Sequence, residues 1–252
     1  MISVLGVSVS RGNATIIREM DFRAEPGTVT ALIGPNGSGK STLVAAISAD
    51  LPVTTGHIRL LDHDVAELAP TEAARLRAVM TQASPVAFGF DAGEVVAMGR
   101  TPWRNRAEAE QDDEAVRQAM TATDIGHLWD RPVQSLSGGE QARVALARTL
   151  AQATPIIILD EPTASLDLRH QVDTLKCLAA RASAGATVLV VLHDLTLAAA
   201  FSHHLVLLAE GRVAASGTTH QVLQPTVLEP VYGLPLQMLS HPRTGTPIVV
   251  PA

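Results

Sequence analysis

Little of this 252-residue chain is aromatic: phenylalanine, tryptophan and tyrosine make up 3 % of it, against 46 % hydrophobic residues overall. Its core must therefore be built from aliphatic and small side chains. A single cysteine, Cys177, excludes an internal disulfide and fits a reducing compartment. Set among helix-patterned residues, it reads as an inert small hydrophobe. No run approaches the roughly 18 consecutive apolar residues of a membrane span. The opening MISVLGVSVSRG lacks the charged leader and long apolar stretch of a secretory signal. Lysine and arginine number 19 against 25 aspartate and glutamate, a net charge of −6 that argues against a broad cationic surface for nucleic acid. The longest charged stretch, Arg104 to Glu114, reads as a solvated helix face. There is no internal repeat and no low-complexity tract.

What is present is the alternation of an α/β protein. Strands are expected at Ser3–Val9, Ile16–Phe22, Val29–Ile33, Ile58–Leu61, Ile156–Leu159, Thr187–Leu192, Leu205–Leu208 and Val213–Ser216. The turn signal RGNA makes the first two an antiparallel hairpin. The later, almost wholly apolar strands fit a parallel sheet covered on both faces. Between about residues 83 and 152 helical periodicity takes over, notably at Ala107–Thr123 and Gly138–Gln152, and no strand stands out. The expected organisation is one domain, 1–252. Residues 1–82 and 153–223 form its core, 83–152 an inserted helical subdomain and 224–252 a C-terminal tail with no identifiable chemistry. A helix at Leu168–Ser183 is capped by Asp167 and stopped near Gly185.

Three motifs carry chemistry. GPNGSGKST (Gly34, Pro35, Asn36, Gly37, Ser38, Gly39, Lys40, Ser41 and Thr42) follows an apolar strand, precedes a helical run and fits G-x-x-x-x-G-K-[ST]. Such a loop presents backbone N–H groups to phosphate at a helix start. Lys40 would reach the β- and γ-phosphates, and Ser41 would ligate Mg²⁺. The run IIILDEP delivers Asp160 and Glu161 at a strand's carboxyl end, where α/β proteins place ligands. Asp160 suits the Mg²⁺ and Glu161 the attacking water, so the expected ligand is a nucleoside triphosphate with Mg²⁺.

The third motif, LSGGEQ, opens a helix with Ser137 as N-cap and Glu140 completing a capping box. Two consecutive glycines, Gly138 and Gly139, weaken that helix start, each by up to about 1 kcal/mol against alanine. They let a phosphate oxygen approach the backbone closely, which makes the tip a second anion site built from N–H groups and a hydroxyl. One lysine-bearing loop does not need two triphosphate sites. The economical reading is that the tip faces the γ-phosphate held by another copy, so that ATP lies between two subunits.

GPNGSGKST, LSGGEQ, IIILDEPTASLD and VLHD in this order resemble the ATP-binding cassette (ABC) ATPase family, from Met1 to about Leu223. The resemblance implies a P-loop NTPase sheet with an N-terminal antiparallel β subdomain and an inserted helical subdomain. It implies that Gln82 in VMTQAS touches Mg²⁺ and contacts a membrane subunit, and that His193 in VLHD contacts the γ-phosphate. It also implies that Asp167 communicates across a homodimer and that Gln141 belongs to the nucleotide-binding set. Where the family usually stacks an aromatic residue on adenine, this chain has Arg11, whose guanidinium plane can also stack on a base. His203 and His204, being adjacent, are assigned no metal role.

Arg77 to Trp103 resembles the cassettes serving importers of iron chelates, cobalamin and haem, and is most similar to haem-import ATPases. This implies integral membrane permease partners, a periplasmic or surface substrate-binding protein engaged indirectly, and a peripheral place on the cytoplasmic face of the membrane. Phe88 and Phe90 then line the groove for a permease helix, or else pack within the helical subdomain. Ferric-siderophore and cobalamin import are the competing cargoes. A non-transport cassette, serving iron–sulfur cluster assembly or DNA repair, is the alternative of another class. The acidic balance and the lack of a coiled-coil insertion count against a repair clamp.

Overall fold

One mostly parallel sheet buries a separate hydrophobic core on each of its faces. The computed structural model describes residues 1–12, 14–81 and 89–252. Strand β1 (Ile2–Arg11) pairs antiparallel with β2 (Ala14–Ala24), as the RGNA turn predicts. β3 (Val29–Ile33) is buried along its whole length and leads through a glycine loop into helix α1 (Lys40–Ile47). β4 (Thr55–Leu60) and β5 (His63–Asp64) return to extend the first sheet in the order β2-β1-β4-β5. Helix α2 (Pro70–Leu76) leads into β6 (Arg77–Met80). Three helices follow: α3 (Ala92–Ala97), α4 (Asp112–Ala122) and α5 (Gly138–Ala151). The chain re-enters the main sheet at β7 (Ile156–Asp160), then alternates through α6 (Leu168–Ser183), β8 (Thr187–Val191) and α7 (Leu195–Phe201). β9 (His204–Ala209) and β10 (Arg212–Thr218) form an antiparallel hairpin at its edge.

Among the described residues the main sheet runs β10-β9-β3-β8-β7-β6. Consecutive residues of a strand point to opposite faces, and the two cores follow that alternation. Ile156 and Ile158 join Leu43, Val44 and Ile47 of α1 and the apolar side of the β1–β2 hairpin. Ile157 and Leu159 join the helical side, with Val144, Leu146 and Leu150 of α5 and Leu175 and Leu178 of α6. Helices α1 and α5 therefore lie on opposite faces of one sheet.

Two features differ from the sequence expectation. β6 adds an edge strand parallel to β7; four residues running straight out of a helix are too few to show a period. Ala107–Gln111 is a 3-10 turn rather than the start of the α-helix. There Arg100 Nη2 takes the Glu108 carbonyl at 3.0 Å, and Asp112 N–H bonds the Ala109 carbonyl instead. The tail region forms α8 (Thr219–Val222) and α9 (Pro225–Tyr232), then a hairpin of β11 (Leu236–Ser240) and β12 (Pro247–Pro251). Its Val227, Tyr232, Leu236, Met238 and Val249 pack on the helical-side core.

The β9–β10 turn sets the phosphate loop against the first sheet. Glu210 and Gly211 both take positive φ, +49° and +76°, as a two-residue hairpin turn of the primed kind requires. Gly211 N–H donates to the Ser38 carbonyl at 3.2 Å, and its own carbonyl accepts from Arg18 N–H at 2.8 Å. A Cβ there would lie 2.1 Å from the Ile16 carbonyl oxygen. Gly211→Ala is therefore expected to cost at least the ~1–3 kcal/mol of a strained backbone, read as a lower denaturant midpoint. An unchanged midpoint would show that the turn is not wedged.

Candidate functional site

β8 separates β3 from β7, so their carboxyl ends lie two strand spacings, roughly 10 Å, apart on one edge of the sheet. Ligands of α/β proteins bind at that edge. Beyond β3 the chain turns sharply at Gly34, with φ +141°, where a Cβ would come within 2.2 Å of the Leu208 carbonyl oxygen. Only glycine fits there. Lys40, the first residue of α1, is 5 % exposed. Its Nζ donates to the carbonyls of Gly34 at 2.8 Å and Pro35 at 2.9 Å. The Ser38 hydroxyl is buried without a hydrogen-bond partner. Asn36, Gly37 and Ser41 are exposed, and Thr42 is half-buried behind them. Helix-start N–H groups, a buried ammonium and an unengaged hydroxyl make a cradle for phosphate.

Ser41 faces β7. Its hydroxyl lies beside the Asp160 carboxylate, whose Oδ1 is buried with no hydrogen-bond partner. Burial pushes the Asp160 carboxyl above the usual carboxylate range, with the Ser41 hydroxyl and the Lys40 and His193 charges opposing it. Burial likewise lowers the Lys40 ammonium, against the pull of Glu161 and Asp160. A carboxylate oxygen short of a partner beside a serine hydroxyl is an all-oxygen donor set. It fits Mg²⁺, which binds through one or two protein oxygens and leaves its remaining positions to water and phosphate.

Glu161 follows directly. Its φ of +55° lies in the left-handed region, a conformation that costs a non-glycine residue about 1–3 kcal/mol. Its Oε1 lies 2.5 Å from His193 Nε2. His193 sits between β8 and α7, beside Asp194, whose carboxylate caps α7 by accepting from Thr196 N–H at 2.7 Å and Leu197 N–H at 3.0 Å. Lys40, Ser41, Asp160, Glu161 and His193 thus gather in one cluster drawn from three loops. One strained backbone position aims its carboxylate.

The LSGGEQ tip belongs elsewhere. Ser137 Oγ accepts from Glu140 N–H at 3.4 Å, while the Glu140 carboxylate takes the Ser137 N–H at 2.8 Å and its hydroxyl at 2.7 Å. The capping box is therefore present. A Cβ on Gly138 would meet nothing within 4 Å, and one on Gly139 only Ser165 O at 3.5 Å and Leu166 Cδ2 at 3.7 Å. Packing within one chain does not call for glycine at either position. Gln141, exposed, donates back to the Leu136 carbonyl at 3.0 Å. Asp167 caps α6, accepting from His170 N–H at 2.9 Å.

The remaining sequence candidates scatter. Arg11 is exposed at the end of β1, opposite Ala14, whereas Ile17 of β2 lies against Gly39. Gln82 and Phe88 fall outside the described residues; Phe90 is 38 % exposed. His203 Nδ1 accepts from Val29 N–H at 3.0 Å, a structural bond. Tyr232 was not a candidate from the sequence; burial against the helical-side core pushes its phenol above the usual range, with the Gly34 backbone opposing it. It ends a short helix far along the chain, and no local signal ties it to that core.

A family model described as ABC transporter matches residues 17–164. Hemin import ATP-binding protein HmuV of Rhodococcus jostii is 46 % identical over 246 residues, 98 % of this chain and 84 % of its own. HmuV of Myxococcus xanthus is 44 % identical, with 99 % and 96 % covered. HmuV of Pseudomonas entomophila is 40 % identical, with 99 % of each covered. Among solved structures, an inward-facing transporter described as of metal-chelate type superposes with a TM-score of 0.83 at 25 % identity, over all of this chain and 97 % of that one. A dimeric bacterial ABC transporter cassette gives 0.78 at 25 % identity, over 87 % and 99 %.

The glycines of the tip invite a direct test. Gly138→Ala is expected to leave the stability of the isolated chain unchanged or raised by up to about 1 kcal/mol, while weakening its nucleotide-driven self-association. A lowered melting temperature with association intact would show that the glycine serves the fold instead.

Proposed function

The chain belongs to the ABC transporter family, and from that premise we propose that it powers haem import through a membrane permease, hydrolysing ATP between two copies of itself. The cargo rests on one observation: relatives 40–48 % identical over nearly the whole chain are named hemin import ATP-binding proteins. The reaction rests on the cluster at the sheet edge.

In this reading Lys40 exchanges the carbonyls of Gly34 and Pro35 for the β- and γ-phosphates, and the N–H groups around Ser38 take the remaining phosphate oxygens. Ser41 and Asp160 hold Mg²⁺, with Gln82 as a further contact. When bound, the ion would offset the charge that develops on the phosphate oxygens. Glu161 accepts the proton of the water that attacks the γ-phosphate. His193, 2.5 Å from that carboxylate, fixes its direction and meets the γ-phosphate. Ser137, Gly138 and Gly139 of the second copy close over the same phosphate, with Gln141 holding their loop in shape and Asp167 at the dimer seam. Arg11 stacks on the adenine, with the apolar Ile17 beneath the loop. ATP favours the closed pair more than ADP does, and that difference drives the permease between states.

The helical unit, 83–152, carries the tip towards the partner copy. We place the permease helix in the cavity of about 720 Å³ lined by Leu51, Val53, Ala73, Arg77 and Thr81. No helix of the described residues is long and apolar enough to cross a membrane. The chain then works as a peripheral subunit on the cytoplasmic face, and a substrate-binding protein on the far side delivers haem.

Two outcomes test this. Glu161→Gln is expected to keep ATP binding and to cut turnover by at least about 10²-fold, the scale of a lost general base. Near-normal turnover would remove Glu161 from the role. Isolated from its native membrane, the chain is expected to bring down a polytopic membrane protein, and recovery with soluble partners alone would favour an assembly ATPase.

A further inference from the structure

We propose that His170 and Gln171, in the first turn of α6, are positioning residues of the ATPase. Together they clamp the turn that runs from Glu161 to Asp167, so that the dimer seam and the carboxylate facing the attacking water move as one piece. This rests on the function above and adds two residues that act through Glu161 and Asp167 rather than on the nucleotide.

Two successive turns join Glu161 to Asp167. Ala164 N–H bonds the Glu161 carbonyl at 3.3 Å, and Leu166 N–H bonds the Thr163 carbonyl at 3.2 Å. Leu166 is buried and anchors the span. Gln171 reaches back across it, its Nε2 donating to the carbonyls of Thr163 at 3.2 Å and Leu166 at 3.1 Å. His170 holds the far end. Asp167 Oδ1 accepts from the His170 backbone N–H at 2.9 Å and from its ring Nδ1 at 2.8 Å, which assigns the ring hydrogen to Nδ1. Both bonds end on one oxygen. Among the described residues none bonds the other, Oδ2, and the clamp leaves it to a donor from outside the chain.

Capping α6 does not ask for these side chains. The cap needs only the N–H at position 170, which any residue but proline supplies, and the Gln171 amide serves carbonyls outside the helix. Their placement points to the seam instead. The turn lies beside the LSGGEQ tip: a Cβ on Gly139 would come within 3.5 Å of the Ser165 carbonyl oxygen and 3.7 Å of Leu166 Cδ2. Tip and turn form one continuous surface, so a second copy that meets the tip also meets Asp167 and Leu168. Leu168 is 70 % exposed, more than any other large hydrophobic side chain among the described residues, and offers an apolar contact there. The His170 ring also borders a small cavity with Asp124 and Arg143 of the helical unit and Asp173 of its own helix. Arg143 lies on α5, the helix that carries the tip. His170 thus stands at the joint of tip, seam and turn.

The test uses the full chain at concentrations where its copies associate with MgATP. His170→Phe keeps a ring and removes the donor, whereas His170→Asn returns an N–H near the place of Nδ1. His170→Phe is expected to cut kcat at least about tenfold, the scale of one lost bond to a charged group. Its KM is expected to change less, and its MgADP dissociation constant to stay within about twofold of the unaltered protein's. His170→Asn is expected to recover most of the lost turnover. Gln171→Glu replaces the donor amide with an acceptor of the same shape. It is expected to repeat the loss, and it keeps the test decisive should His170→Phe fail to fold. Unchanged kcat in either folded variant overturns the inference. So does a loss that His170→Asn does not recover, or one matched by an equal weakening of MgADP binding, since either marks a purely structural role. An unaltered protein that hydrolyses no MgATP would instead strike at the ATPase function itself.

Discussion

Two opposite charges, Lys40 and Asp160, are buried at one sheet edge, each 5 % exposed. A buried charge is tolerated only where partners and hydrogen bonds replace the water it has lost. Here two carbonyls hold the ammonium, the Ser41 hydroxyl meets the carboxylate, and Glu161 and His193 complete the field. The arrangement leaves acceptors and donors over. Asp160 Oδ1 and Ser38 Oγ lack partners, and a cation and a phosphate would supply them. The fold thus holds in place a set of groups that one chain alone does not satisfy.

The same incompleteness appears on the other face. Helix α5 starts with two glycines that nothing in its own chain requires, and it lies across the sheet from α1. Were both helix starts meant for one phosphate within one molecule, they would have to meet across the sheet that separates them. A second copy removes that conflict. In the proposed function, the cost of a weak helix start and the cost of two buried charges would be offset by one event, closure of two chains around the nucleotide.

Much of this was legible because the chemistry is local. The strand, glycine loop and Lys40 are contiguous, as are the buried strand with Asp160 and Glu161, and the capping box at Ser137 appears in the structure with both its bonds. What stayed hidden depends on contacts between distant residues. Arg100 claims the Glu108 carbonyl, so a stretch with helical periodicity becomes a 3-10 turn. Tyr232, Met238 and Val249 reach the helical-side core only because the tail folds back on the domain, and no pattern near them announces it. The strained φ of Glu161 likewise follows from its place in the tertiary structure.

The central claim is that each nucleotide is enclosed by groups from two chains, and complementation tests it most directly. Lys40→Met is built to lose its own phosphate loop, and Ser137→Arg to lose the tip it lends its partner. A mixed pair then contains one site with both defects and one with neither. With MgATP, differently labelled chains are predicted to associate when the two variants are mixed, although neither variant associates with itself. If no mixed pairs form while the unaltered chain pairs normally, the site lies within a single chain and the account is contradicted.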